Sequence, residues 1–576
     1  MKQIVRLSLL MWLVIITLSS CKNNIPKEAR YIPKEAGFVL SFNPQLMKDK
    51  LQKGGISIDT LLQRVFKNDS LDSKDKARFN QLKNNAGIDW NSKIFVFMLQ
   101  KTNPDNSVSS NYSLLGAVKD AGLFESYLQL QDELKGKEIK KEKDYSYLVN
   151  GNGSIIAWNN EQVIATMFRH TQKPVYDTVA MAFKQPAPIN MEAEMKREVG
   201  RYFTQKINES LASVDIFTAM FKEKADGYVF TSANSSLAGL SMLPFQLPKM
   251  EELLKDNFVT ATLSFEEGRI IAKSTGYPNE LLGSVLKQYA GHAVNLSLIE
   301  NYPSQHINAI VLAAFNPEIF GGLLRQLEVE GLANNFLEKA GVTSQDLYKS
   351  LKGDIAVVVS DFDITQKEPQ FKTDEKSMIR KKPIGKMIVT APVGDKISFI
   401  KLMDKAVEQG VLKKVGNTYK AGRLVSLLGL YIMADEKNLV IASDSLTYTA
   451  YISKRTRSVI NEEALHKFKG KSIVFYVDIA GTLNGLSKES AGDFNKSLNT
   501  AKTTFKDIIA TTDNFDGKNS KAALEIRLRD ERQNSLVTLT SLLADIAIDM
   551  RVQARREKET EEKLFPGGLP AIIRTN

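Results

Sequence analysis

Two distant stretches of this chain carry the same order of apolar runs, turns and breakers, and a chain that repeats itself folds each copy by the same rules. Tyr31-Ile32-Pro33 leads into Phe38-Val39-Leu40-Ser41-Phe42 and the stop Asn43-Pro44; Tyr302-Pro303 leads into Ile310-Val311-Leu312-Ala313-Ala314-Phe315 and the stop Asn316-Pro317. Each reads as a strand followed by an apolar helix start. Asn85-Ala86-Gly87-Ile88 then matches Lys339-Ala340-Gly341-Val342, both at helix ends where glycine takes the left-handed cap. Apolar strands follow at Ile94 to Leu99 and at Ile355 to Val359.

The matching order continues through polar linkers (Lys101 to Tyr112; Asp361 to Lys386), second strands (Leu114 to Val118; Met387 to Thr390) and short helices (Leu123 to Leu134; Ile397 to Gln409). Hairpins come next, Ile155 to Ala165 turning at Asn159-Asn160 and Tyr431 to Ile441 turning at Asp435-Glu436, each with turn residues between apolar strands. Further strands are expected at Tyr228 to Thr231 and Ile473 to Val477. Paired strands close each half, Ala261 to Ser264 with Ile270 to Ser274, and Ala522 to Leu528 with Leu536 to Leu539. Apolar spacing predicts a long helix over Met191 to Lys222 and a C-terminal helix over Leu542 to Phe565. Alternation such as Ala523-Leu524-Glu525-Ile526-Arg527-Leu528 is the antiparallel habit. The expected fold class is α+β: two tandem copies, 31–300 and 301–555, of a unit with mainly antiparallel sheet and packed helices, then a charged helix end and frayed tail over 556–576.

Cys21 is the only cysteine of the 576 residues. It ends a segment with a short basic start (Lys2, Arg6) and an apolar core from Leu7 to Ile16, the layout of a secretory signal and too short to span a bilayer. Leu18-Ser19-Ser20-Cys21 resembles the lipobox of bacterial lipoproteins position by position. That resemblance implies a signal peptide over 1–20, acylation of Cys21, and a lipidated tether over 21–30 holding the chain to the bilayer. Lys22-Asn23-Asn24 lacks the acidic cluster seen after the cysteine of surface-exported Bacteroidetes lipoproteins, and position two is not the aspartate of inner-membrane retention. The expected address is therefore the periplasmic face of the outer membrane. With no second thiol, no intramolecular disulfide can form, and packing alone must hold the fold.

The net charge of +11 is spread through 77 basic and 66 acidic side chains, which reads as a solvated mixed-charge surface; no nucleic-acid partner is expected. The densest cationic run, Arg380-Lys381-Lys382 in the longer linker, is the candidate electrostatic contact.

The lipobox, the opening Ile32-Pro33-Lys34-Glu35-Ala36 before a strand ending in Phe42-Asn43, and the doubled hairpin units resemble a family of uncharacterised Bacteroidetes lipoproteins catalogued as domain of unknown function 4836. The resemblance covers essentially the whole mature chain. It implies location and fold, and no activity or site.

Catalytic and metal motifs do not assemble. His170, His292, His306 and His466 are scattered with no ligand at i+4, so neither a zinc site nor any cofactor is expected. Asp69 to Asp75 lacks the glycine and closing glutamate of a calcium loop, and Asn150-Gly151-Asn152-Gly153 opens no helix and reads as a hairpin turn. Ser398-Phe399-Ile400-Lys401 with Ser443-Asp444-Ser445 imitates the penicillin-recognising elements, but no Lys-Thr-Gly follows. The expected function is a non-catalytic envelope protein that binds or scaffolds a partner protein or cell-wall polymer. The alternative is a carrier of an apolar ligand or lipid, with a serine hydrolase a distant third.

Overall fold

The computed structural model describes residues 25–57, 59–61, 73–103, 107–132, 134–151, 153–172, 175–177, 181–184, 189–234, 247–367, 380–454, 460–487, 493–546 and 548–549. They form an α+β architecture dominated by antiparallel sheet with helices packed on it. By contacts the chain divides in two. The first unit draws on residues up to Pro44 and on Asn84–Ala238, the second on Gln45–Lys83 and on Gly239 onward.

In the first unit the strands are β1 (Phe38–Phe42), β2 (Ile94–Thr102), β3 (Val108–Ala117), β4 (Lys140–Lys141), β5 (Ser146–Gly151), β6 (Ser154–Trp158), β7 (Gln162–Thr171), β8 (Val175–Asp177), β9 (Ala182–Lys184) and β10 (Gly227–Ser232). They pair antiparallel in the order β4-β5-β6-β7-β3-β2-β1-β10, with β8–β9 a separate hairpin. Helix Met191–Thr204 turns Met195, Val199 and Tyr202 onto one sheet face, where Tyr202 meets Phe97 edge-on at 5.5 Å. Phe95, Phe217, Phe221 and Phe230 continue that core as edge-to-face pairs, the geometry that the ring quadrupoles prefer. Helix Ala121–Leu130, capped by the Asp120 carboxylate on the Leu123 amide, packs Phe124 and Leu128 against Trp158.

The second unit contains β11 (Phe258–Glu266), β12 (Arg269–Tyr277), β13 (Ile307–Ala314), β14 (Asp354–Lys367), β15 (Arg380–Pro392), β16 (Leu412–Val415), β17 (Thr418–Ala421), β18 (Tyr431–Ala434), β19 (Asn438–Ala442), β20 (Ile473–Asp478), β21 (Phe505–Thr512) and β22 (Ser520–Leu528). Their order is β16-β17-β18-β19-β15-β14-β13-β20-β21-β22-β12-β11, again antiparallel throughout. Its main core joins Ile310, Leu312, Ala356, Val358, Ile388, Val474 and Phe468. Met47 and Leu51, from helix Pro44–Lys53, pack with Phe265, Ile270 and Leu536 in the same unit. Because β12 pairs with β22, the β11–β12 hairpin belongs to the second compact unit although it precedes residue 300.

The expected hairpins form: β6–β7 turns on the Asn159 side chain, which accepts from the amides of Glu161 and Gln162, and β18–β19 turns on Asp435 in the same way. Gly87 and Gly341 do take positive φ, +64° and +77°. Four expectations are corrected. The described residues of the polar linkers are largely strand, because β2–β3 and β14–β15 keep pairing outward as far as Thr102↔Val108 and Lys367↔Arg380. The helix expected to run to Lys222 stops at Thr204. Beyond it, residues 207–213 bond to a distant segment, Leu211 N–H to the Ile32 carbonyl and Lys34 N–H to that of Glu209. Leu536 to Leu539 are helical, since the Asn534 carboxamide caps the Leu536 amide, and the strand beside β22 is β21. For the same reason the C-terminal helix is under way before Leu542; residues 550–576 lie outside the described part. Lys27–Tyr31 form a 3₁₀ turn with Ala29 and Tyr31 buried; residues 21–24 of the expected tether lie outside the described part.

The Tyr302 of the repeated Tyr-Pro opening is fully buried, its hydroxyl 3.1 Å from Ser360 Oγ. Burial pushes this phenol up to about 12 from its ordinary value near 10. A raised acid of this kind contributes stability that is complete below about pH 10 and is lost as the pH climbs toward 12, to a total of about 2–3 kcal/mol. Urea unfolding from pH 8 to 11.5 should show this decline, and Tyr302→Phe should flatten its steep limb. An equal slope in the variant would refute the assignment.

Candidate functional site

The sheet face opposite the aromatic core of the first unit is unusual in being apolar rather than polar, where an antiparallel sheet ordinarily meets water. Register aligns Val229, Leu40, Val96, Leu114, Ala165 and Ile156 side by side across six strands. Two residues along the strands, a second row runs through Phe38, Met98, Tyr112 and Met167. Val96 is 36%, Tyr112 46%, Leu114 50% and Met167 44% exposed. Helix Ala121–Leu130 covers only the Ile156 and Val163 end. At the usual strand spacing the first row is about 24 Å long.

The second unit has the same kind of face. Ile441, Val389, Val357, Val311, Phe475, Ala510, Leu524 and Ala272 follow one another across β19, β15, β14, β13, β20, β21, β22 and β12. Phe475 is 40% and Leu524 37% exposed. These rows were missed in the sequence although a signal was there: Ile94-Phe95-Val96-Phe97-Met98 is apolar at every position, and such a strand has two apolar faces.

The recesses are of other kinds. One of 810 Å³ in the second unit is walled by charge, Lys50, Glu266, Arg269, Glu463, Glu525 and Arg527 among others. Within it the Arg527 guanidinium clamps Asp507 through two 2.6 Å bonds and reaches Glu463, whose carboxyl it holds below the usual range. Another, of 590 Å³ in the first unit, lies over Tyr31, Tyr202 and Phe203 with Arg30 and Lys206 at its rim.

The residues singled out in the sequence are placed as follows. Cys21 lies outside the described residues. Arg380, Lys381 and Lys382 are strand positions of β15, opposite Lys367, Gln366 and Thr365. Ser398 and Lys401 do not form a dyad: Ser398 Oγ donates to Asp395, which caps that helix, and Lys401 pairs with Asp346 at 2.6 Å. Asp444 caps the helix Ser445–Ile452, accepting from the Thr447 amide. His292 pairs with Asp354 at 2.9 Å and His170 meets Ser109 at 3.1 Å, far apart in sequence and in separate units. Among the described residues no three His, Cys, Asp or Glu side chains gather as a metal site, and no helix is long and apolar enough to cross a membrane.

No family model matches the chain, and no curated protein matches it. Two solved structures are similar to part of it, described as crystal forms IV and I of TP0453. Each is 9% identical with a TM-score of 0.22, covering 43% and 47% of this chain and 79% and 88% of the other. A likeness of that size carries no argument about fold or function.

Proposed function

We propose that this protein is a non-catalytic, lipid-anchored envelope protein that carries an apolar ligand, the acyl chains of a lipid, along the open apolar rows of its sheets. The observation that carries the reading is the first-unit row from Leu40 to Ile156, with Val96 and Leu114 exposed at its middle. A contiguous apolar patch on a soluble face marks an interaction site, and a straight row suits an extended chain better than a compact ligand. The equal strand order from β4 to β10 and from β16 to β20 supports reading the chain as one α+β unit duplicated over 31–300 and 301–555, which would double the binding surface. Anchoring through acylated Cys21 at the periplasmic face of the outer membrane would keep such a carrier beside its lipid source.

A second reading has its own support. The 810 Å³ recess is walled by charge, which favours a scaffold whose open face docks a partner protein or cell-wall polymer, with Arg380, Lys381 and Lys382 as an electrostatic contact. One experiment separates them. Full-length protein purified from envelopes is extracted and its lipid measured by mass spectrometry, beside Leu114→Glu/Met167→Glu. The carrier reading expects stoichiometric lipid that falls about tenfold or more in the variant, since each buried apolar side chain is worth ~1.5–3 kcal/mol. Lipid at the same trace level in both, with a protein crosslink lost in the variant, would favour the scaffold.

A further inference from the structure

The β5–β6 hairpin of the first unit turns at once, from Gly151 to Ser154, whereas residues 422–430 intervene between β17 and β18 of the second. That segment is rooted where the Gly422 amide donates to the Val411 carbonyl at 2.8 Å. Only glycine fits there, because a Cβ would stand 2.4 Å from the Gly410 carbonyl oxygen. One helical turn, Arg423–Ser426, follows, and then Leu427 and Leu428 stand 78% and 74% exposed. Two adjacent leucines held in water at the tip of a rooted loop forgo the burial that their side chains favour.

Below the tip two like charges meet. Lys413 and Lys420 are directly opposite each other across the β16–β17 pair, an arrangement that is destabilising unless an anion lies between or beside them. They share the outer surface of that hairpin, because the intervening Leu412, Tyr419 and Ala421 are buried. The neighbouring Lys414 is satisfied by Asp404 at 2.9 Å; Lys413, Lys420 and Arg423 have no carboxylate partner among the described residues.

We propose that the 422–430 loop is a membrane-contact site: Leu427 and Leu428 enter the interface of an anionic bilayer while Lys413, Lys420 and Arg423 lie among its headgroup phosphates. An apolar tip above a basic collar is the chemistry of interfacial binding, in which apolar burial and attraction to anionic lipid add. The occupant is a bilayer and not a soluble anion because phosphate alone would satisfy the cations and leave both leucines in water. The site is independent of the ligand rows and of acylation at Cys21, which would hold the protein near a membrane without orienting it.

The test uses full-length protein reconstituted on phosphatidylcholine vesicles with or without phosphatidylglycerol, carrying Leu428→Cys labelled with an environment-sensitive fluorophore. Unsubstituted protein taken through the same labelling is the blank. On anionic vesicles the emission should shift to the blue and be quenched by spin-labelled lipid. Lys413→Glu/Lys420→Glu/Arg423→Glu should lower the ratio of inserted to free loop about tenfold or more. A parallel label at Leu427→Cys, with thermal melts of every variant, keeps misfolding from passing as loss of contact. Equal quenching with and without phosphatidylglycerol, or none on either, overturns the proposal. So does a blue shift that needs no vesicles and grows with protein concentration, which would mark a second copy of the chain on the loop.

Discussion

Arg527→Leu is expected to lower the stability of the protein by about 3–5 kcal/mol, the range for removing one member of a buried ion pair. Arg527 and Asp507 face each other across β21 and β22, with side chains 7% and 5% exposed. The guanidinium donates from Nε and from one terminal nitrogen to both carboxylate oxygens at 2.6 Å, the bidentate geometry that a lysine cannot copy. Its other terminal nitrogen reaches Glu463, at 2.5 Å, from the helix Glu462–Phe468. Leucine would leave the Asp507 charge buried without a counter-ion, beside Asp478, whose own carboxyl is already pushed up by burial and by Asp507. The cost comes from the orphaned charge more than from a lost attraction, so Arg527→Leu/Asp507→Leu should recover most of it. Urea unfolding of the three proteins decides the matter. A double variant as unstable as the single one would mean that packing, not charge, governs the site. The Glu463 carboxyl, held low by Arg527, adds a part present at neutral pH and lost as the pH falls through the carboxylate range; Arg527→Leu should remove that acid dependence.

The pair also marks where sequence reading stops. Asp507 and Arg527 were ordinary charges in a chain full of them, and only the register of β21 on β22 makes them partners. Locally written features were legible: the strand Phe38–Phe42 ahead of Asn43-Pro44, the left-handed Gly87 and Gly341, and the side-chain-capped turns at Asn159 and Asp435. The elements misread were decided elsewhere in the chain. Residues 207–213 leave the helix because Ile32 to Lys34 supply partners, and Lys101, Lys367 and Arg380 lie in strands because their ladders had not ended. For β21 a local signal existed. Asp516, accepting from the amides of Lys518 and Asn519 ahead of Gly517 at φ +94°, is the turn that joins it to β22. The open apolar rows were half legible, since uninterrupted apolar strands announce two apolar faces but not how little of the second face helix Ala121–Leu130 covers.

Gly353→Ala should cost about 2–5 kcal/mol, although Gly353 is one glycine among many and nothing in its neighbours announces it. It precedes β14 with φ +90°, and a Cβ there would stand 1.8 Å from the Phe315 carbonyl oxygen and 3.0 Å from the Phe315 carbonyl carbon. An L-residue in left-handed backbone carries ~1–2 kcal/mol of strain, and forcing main chain away from main chain adds ~1–3 kcal/mol. The contact cannot yield by turning a rotamer, since Phe315 follows β13 directly and its amide donates to the Gly353 carbonyl at 3.2 Å. Gly470 supplies the control: its φ is +76° but nothing lies within 4 Å of its Cβ position, so Gly470→Ala should cost only the conformational ~1 kcal/mol. Thermal or urea unfolding of both variants reads the difference. Equal losses would mean that chain 315 and chain 353 do not approach as described. A larger loss at Gly353 should also disturb the β13–β14 ladder, which aligns Val311 with Val357 in the second open row, so the proposed carrier function requires bound lipid to fall in Gly353→Ala and not in Gly470→Ala.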